Sequence, residues 1–250
     1  LIDVSWLEQT VADLPAEDDW LSAGEAVRLS AMRFPKRRAD WKLGRWTAKR
    51  ALAVYLSLPA DPRSLAQIEI RPAPSGAPEV FLGDGPAPVT ISISHREGWA
   101  ACAIAGPEAA LGCDLEIIEP RGDAFAADYF TAEEQELLAQ AYPAERWRLL
   151  ALIWSAKESV LKALRVGLRL DTRSVAVDAF VGQVSGGSAW RPLRVNHNGT
   201  ILHGWWWQTG NLVRTMVAAP APAAPLLFKF DTAGTAVRAT RDHGASQSRA

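Results

Sequence analysis

The 250-residue sequence predicts an α+β fold. Two observations carry this prediction. Each half opens on a helical pattern and continues into segments alternating between apolar and polar residues, and those segments follow one another through short turns that favour antiparallel pairing. A Gly-Pro turn at 106–109 marks the boundary, giving an N-terminal half over 1–105 and a C-terminal half over 106–219. Residues 220–250 begin PAPAAP and end RDHGASQSRA, which reads as a partly disordered tail.

The first clear helix begins after the proline of RFPKRRADWKLGRWTAKRALAVYL. Arg38, Lys42, Arg45 and Lys49 recur at i, i+4, i+7 and i+11 and form one basic stripe, while Leu43, Trp46, Ala53 and Val54 supply an apolar side. The Pro- and Gly-rich stretch 59–90 carries short strand-like pieces, QIEI and PEVFL. VTISISH and WAACAIAG then alternate as strands. A hairpin at GPEAA leads into the strand LGCDLEII and would bring Cys102 and Cys113 close on paired strands. Thr131 and Glu134 in TAEE make a capping box that opens a helix through QELLAQA. Residues 145–165 form a long helix or two abutting ones, and RSVAVDAFV, ILHGWWWQ and NLVRTMVAA return to strands. No internal repeat stands out.

Composition narrows the function classes. A hydrophobic content of 48% with 22% charged residues is ordinary for a globular protein, and a net charge of −1 argues against a dedicated nucleic-acid binder. No apolar run is long enough to span a membrane, and LIDVSWLEQTVADLPAEDDW has neither the basic start nor the apolar core of a signal peptide. The expectation is a cytoplasmic protein, monomeric from its size and two-half layout, with two reduced cysteines, too few for a disulfide framework or a zinc site.

Three constellations can carry chemistry. In GCDLEIIEPR, strand alternation puts Asp114 and Glu116 on one face and Cys113 and Leu115 on the other. Two carboxylates a pleat apart repel, which fits either a hard divalent cation such as Mg²⁺ or a solvated polar face. In WSAKESVLK, Glu158 and Lys162 share a helix face at i, i+4, while Lys157 points about 100° away. That face reads either as a helix-stabilising ion pair or as a third oxygen for the metal beside a lysine that neutralises phosphate. In SISH, His95 ends a strand before a turn. With no G-x-S-x-G, P-loop or G-x-G-x-x-G in the chain, it fits phosphate binding together with the basic stripe better than nucleophilic catalysis. Among 27 basic residues only six are lysine, Lys157 and Lys162 among them, which makes both conspicuous.

The order of these pieces resembles the Sfp-type 4′-phosphopantetheinyl transferase family. GCDLE followed some forty residues later by WSAKESVLK resembles that family's G-x-D-x-E and W-x-x-K-E-x-x-x-K. KRRADWKLGR, PSGAP, SISH and GLRLDTRSVAV are similar to its basic helix, G-x-P turn, Ser-His strand and following strand. The resemblance runs from about residue 22 to 218. It implies a pseudo-dimer of two similar α/β halves with the active site between them. The implied reaction is Mg²⁺-dependent transfer of 4′-phosphopantetheine from coenzyme A to a serine of an apo acyl, peptidyl or polyketide carrier protein, releasing adenosine 3′,5′-bisphosphate. By motif position Asp114 and Glu158 would hold Mg²⁺, with Glu116 helping directly or through water. Glu158 would deprotonate the serine directly or through water, and Lys162 would contact the pyrophosphate. Arg37, Arg45, Ser94 and His95 would bind coenzyme A. The chain departs from the family at Arg96, where many members have Ser, and at Ala77, where many have Lys; the second departure removes a phosphate or adenine contact. The rival readings are an inactive carrier-binding relative and another Mg²⁺-dependent phosphotransferase or pyrophosphatase.

Overall fold

In the computed structural model, the described residues are 1–178, 190–230 and 236–238. Strand β1 (Ser5–Thr10) leads through a 3₁₀ turn to helices α1 (Ala23–Ser30), α2 (Pro35–Tyr55) and α3 (Pro62–Ala66). Strands β2 (Ile68–Pro72), β3 (Pro78–Leu82) and β4 (Gly85–Pro86) form a small sheet, followed by β5 (Thr90–Arg96), β6 (Trp99–Ala105) and β7 (Ala110–Ile117). Helices α4 (Asp123–Tyr129), α5 (Ala132–Gln140) and α6 (Pro143–Ala163) come next, then β8 (Val175–Asp178), β9 (Arg191–His197), β10 (Thr200–Thr209) and β11 (Leu212–Ala219). Strands β12 (Leu226–Phe230) and β13 (Ala236–Arg238) close the described chain. The α+β expectation holds. No helix among the described residues is long and apolar enough to cross a membrane.

Two five-stranded sheets organise the molecule, ordered β13-β12-β1-β6-β5 and β7-β11-β10-β9-β8. Helix α2 packs on the first sheet and α6 on the second. Strand alternation decides which side chain faces which layer. In β6, Cys102 and Ile104 join Leu52, Leu65 and Ile68 in the core under α2, whereas Ala101, Ala103 and Ala105 face Trp6, Leu115 and Met216 between the sheets. In β11, Val213 and Val217 pack beneath α6 with Val160 and Leu161. Each buried Leu, Ile or Val contributes about 1.5–3 kcal/mol, so these three clusters hold the layers together.

The hairpin expected at GPEAA is not formed. β6 pairs with β1 and β5, β7 pairs with β11, and the turn at Gly106–Ala109 carries the chain from one sheet to the other. Edge strands β5 and β7 instead lie against each other through side chains. The Ser92 hydroxyl accepts the Cys113 N–H at 2.9 Å, the Ser94 hydroxyl accepts the Leu115 N–H at 3.1 Å, and the Cys113 thiol donates to the Ser92 carbonyl at 3.2 Å. Both cysteines are free and buried.

The segment read as a partly disordered tail contains an ordered strand. β12 lies parallel to β1, with Ser5 opposite Leu226, because Phe228 is apolar enough to enter the α2 core. The end segment at 239–250, like residues 179–181 of the expected RSVAVDAFV strand, falls outside the described residues. The long helix is single, from Pro143 to Ala163, and the Thr131 capping box forms as expected.

A repeat is present after all. Helices α2 and α6 both have 21 residues and both begin at proline. They carry W-T-A-K at 46–49 and W-S-A-K at 154–157, at the same distance from that proline. Each is preceded by a helix with a capping box, Ser22 with Glu25 and Thr131 with Glu134. Five shared letters in 21 do not rise above the surrounding divergence until the helix boundaries are known.

Gly112 is where α6 comes closest to β7: a Cβ there would stand 1.8 Å from the Ser159 carbonyl oxygen and 2.6 Å from the Ala163 nitrogen. Gly112→Ala must push the helix off the strand, at a cost of about 3 kcal/mol and roughly 6–12 °C in Tm by calorimetry. An unchanged Tm would contradict this packing.

Candidate active site

Three elements meet at a cleft of about 350 Å³. β5 contributes Ser94, His95 and Arg96, β7 contributes Asp114 and Glu116, and α6 contributes Trp154, Glu158 and Lys162. The β5–β7 seam sets the first two in register, and Gly112 lets the third approach. Trp154, Glu158 and Lys162 stand one helical turn apart and line the same wall.

Asp114 is buried, and its Oδ1 receives the Ser94 hydroxyl at 2.9 Å and the Lys162 ammonium at 2.8 Å. Lys162 also donates to the Cys113 carbonyl at 3.0 Å. Glu116 is likewise buried. Arg121 Nη2 contacts its two oxygens at 2.9 and 2.7 Å, and Arg96 Nε stands 3.7 Å away. Arg96 and Arg121 both pair with Glu119 as well. Glu158 differs: its Oε1 is buried with no hydrogen-bond partner.

Burial raises the pKa of Glu158, and Asp114 adds to the rise while Lys162 opposes it. Burial and then Asp114 also push Glu116 up, against Arg121 and Arg96. Desolvation alone would pull Lys162 down, but Asp114, Cys113 and Glu158 outweigh it, and its pKa is raised. His95 is open to the cleft, yet desolvation lowers its imidazole, with Asp40 opposing and Lys162 reinforcing.

His95 stands at a junction. It lines the acidic cleft, a hollow of about 210 Å³ with Arg28, Trp41 and Arg45, and a shallower one with Lys36, Arg37 and Asp40. Gly44 brings α2 close enough for this, its missing Cβ standing 3.3 Å from Ile93 and 3.7 Å from His95. Arg45 Nε is buried without a hydrogen-bond partner, and its guanidinium is lowered to about 10 by burial, against Glu25. The hollow is thus primed for an anion.

The acidic cleft and the basic hollows thus share one wall, the arrangement a phosphate-rich substrate and a hard cation require. Residues 110–197, which contain β7 and all of α6, match the model of the 4′-phosphopantetheinyl transferase superfamily. Over that region the chain resembles this superfamily of transferases. Among the superfamily's curated proteins, it is 29% identical over 146 residues to the 4′-phosphopantetheinyl transferase AcpT of Salmonella typhimurium, covering 57% of this chain and 68% of that one. It is 33% identical over 97 residues to the 4′-phosphopantetheinyl transferase psf-1 of Bacillus pumilus, covering 38% of each.

Asp114, Glu116, Glu158, Lys162, Ser94 and His95, the residues named from the motifs, line one cleft, with Arg37 and Arg45 in the adjoining hollows. The three carboxylates are not gathered as a ready-made metal cage, and no group of three potential ligands converges among the described residues. Lys162 and Arg121 draw Asp114 and Glu116 aside, since buried carboxylates take the nearest cation. The donor set still fits a hard cation, because Asp114 raises the pKa of both Glu116 and Glu158 and one Glu158 oxygen is orphaned.

The basic stripe is largely spent inside the protein. Arg38 donates to the Leu29 carbonyl, Lys42 pairs with Asp18 at 2.5 Å, and Lys49 is wholly buried against Glu25. Periodicity places side chains on one face but does not say that the face is packed against α1. Ser94 uses its one proton on Asp114, and its side chain serves the carboxylate. Sequence reasoning missed Arg28, Trp41, Arg121 and Trp154. The Ser22–Glu25 capping box would have revealed α1 and with it Arg28, and i−4 spacing from Glu158 would have found Trp154.

The raised pKa of Glu158 has a direct consequence for stability. A carboxyl whose folded pKa lies above its unfolded value favours folding most below the unfolded pKa, and this contribution is lost as pH rises through the folded value. In chelator at neutral pH, Glu158→Gln is therefore expected to melt higher than wild type, with the gap closing as pH falls below about 4.5. A lower Tm for the variant at neutral pH would mean the carboxylate is stabilising.

Proposed function

We propose that this protein transfers 4′-phosphopantetheine from coenzyme A to a serine hydroxyl of an apo acyl, peptidyl or polyketide carrier protein, releasing adenosine 3′,5′-bisphosphate. The observation that carries this reading is the orphaned, buried Glu158 oxygen beside Lys162 and Asp114, at a cleft that opens through His95 onto two basic hollows. Two halves, 1–105 and 106–219, act as a pseudo-dimer, each built of a long helix on an antiparallel sheet. The matching W-[ST]-A-K helices and the shared β1-β6-β5 and β7-β11-β10 orders support this.

In this mechanism the chain's own groups divide the work. Arg37, Arg45 and His95 bind the phosphates of coenzyme A, and Arg28, from the same hollow, adds a cation. This offsets the lysine that Ala77 lacks. Asp114 and Glu158, with Glu116 once it turns from Arg121, would hold Mg²⁺, which when bound neutralises pyrophosphate charge as a Lewis acid. Glu158 takes the proton from the carrier serine, a role suited to a carboxyl with a raised pKa. The serine oxygen attacks the β-phosphorus, and the P–O bond to the adenosine 3′,5′-bisphosphate breaks. Lys162 donates to the departing phosphate and stabilises its charge. Ser94 holds Asp114 in place.

Incubation of this protein with coenzyme A, Mg²⁺ and apo carriers of the fatty-acid, polyketide and nonribosomal-peptide types tests the reading by mass spectrometry. A phosphopantetheine adduct on at least one carrier is expected, and none on any would refute it. Glu158→Gln should cut kcat by at least about 10²-fold with KM for coenzyme A near wild type. Arg37→Ala should do the reverse, raising that KM by about tenfold with kcat little changed.

A further inference from the structure

Lys157 does not reach the cleft. Its ammonium is wholly buried and has three acceptors, one for each of its protons: Glu134 at 2.8 Å, the Thr172 carbonyl at 2.9 Å and the Val175 carbonyl. Glu134 is the capping-box residue of α5, and its other oxygen accepts the Val177 N–H of β8 at 2.8 Å. One buried ion pair thus ties α6 to the start of α5, to the turn that follows α6, and to β8.

The first half carries the same device. Lys49 is wholly buried, pairs at 2.5 Å with Glu25, the capping-box residue of α1, and donates to the Trp20 carbonyl at 2.9 Å. Glu25 accepts the Ile70 N–H of β2 at 3.2 Å. Both lysines stand 14 residues after the proline that opens their helix, 35 to 49 and 143 to 157. Each ammonium also lies 5.7 Å from an aromatic ring centre, Trp20 or Phe130.

A merely stabilising contact would not require a charge. Replacing a buried ion pair with neutral groups of similar volume is often neutral or favourable, so stability alone does not explain why both helices bear one at the same turn. What two or three directional hydrogen bonds from one buried ammonium add is a fixed rotation and height for the helix. Reacting groups must be held to within about 0.5 Å and 10–20°. Lys157 directly precedes Glu158 in α6, and Lys49 stands one turn after Arg45 in α2.

The geometry points to Lys157 and Lys49 as paired positioning residues: the Glu134–Lys157 pin sets Glu158 and Lys162 for the chemical step, and the Glu25–Lys49 pin sets the α2 cations for coenzyme A. This rests on the transferase reading above. The two pins share the use of a capping-box glutamate and a backbone carbonyl, and they are opposite in kinetic consequence.

The test compares Lys157→Met and Lys49→Met in the full chain with apo carrier, coenzyme A and Mg²⁺, alongside the charge-neutral pairs Glu134→Gln/Lys157→Met and Glu25→Gln/Lys49→Met. Rates are taken per folded molecule, and coenzyme A affinity is measured separately by calorimetry. The α6 variants should lose about tenfold or more in kcat with KM and affinity for coenzyme A unchanged. The α2 variants should lose about tenfold in affinity and KM with kcat within about twofold. Equal effects from both pins, or losses that track only the folded fraction, would overturn the proposal. So would a charge-neutral pair that fails to fold, since the ion pair would then be a requirement for folding. If the wild type transfers nothing to any carrier, the transferase reading has failed. The pins are then judged by calorimetry alone, where a weaker affinity in the Lys49 variants and not in the Lys157 variants supports them and any other pattern refutes them.

Discussion

The Ser94 hydroxyl is the contact on which the site's geometry depends. It accepts the Leu115 N–H and donates to Asp114, so one oxygen joins two sheets and orients a carboxylate. Two edge strands that paired through their backbones would leave no gap between the sheets. Because β5 and β7 meet through serine side chains, the two edges stand further apart than a backbone ladder would allow and a space opens above them. Asp114, Glu116 and His95 project into that space, and α6 closes it from above.

Charge is arranged around this seam by subtraction. Most cations of the basic stripe are consumed by Asp18, Glu25 and a carbonyl, and Arg96 and Arg121 are consumed by Glu116 and Glu119. The Glu158 oxygen and the Arg45 Nε are left without a hydrogen bond, one on each side of His95, although Glu25 stands 3.6 Å from the Arg45 Nε. In a desolvated cleft such groups interact more strongly with a charged ligand than any exposed pair does. The positions that matter are therefore those whose hydrogen bonds the fold leaves unmade.

Legibility followed range. Alternation put Asp114 and Glu116 on one face and helical spacing joined Glu158 to Lys162, because both patterns are set within a few residues. The Thr131 capping box was equally local. The GPEAA turn was misread because a Gly-Pro turn has the same chemistry whether the chain folds back on its own sheet or crosses to another. β12 was hidden in a Pro-rich, polar surrounding, and its partner β1 lies more than 200 residues away. The stripe of α2 was visible as a stripe, yet nothing local shows that Glu25 lies against it. Resemblance supplied the site residues that geometry then placed in one cleft, but it was silent on Lys157, whose partners come from three separate segments.

The parallel pairing of β12 with β1 also governs how the chain can be made. Every strand of the second sheet is synthesised before Leu226–Phe230 leaves the ribosome, yet those residues belong to the first sheet. The opening half must wait, with one flank of β1 uncovered, until the other half has been translated. Severing the polypeptide between its halves would therefore not yield two complete modules, since the later fragment carries away a strand that the earlier one needs.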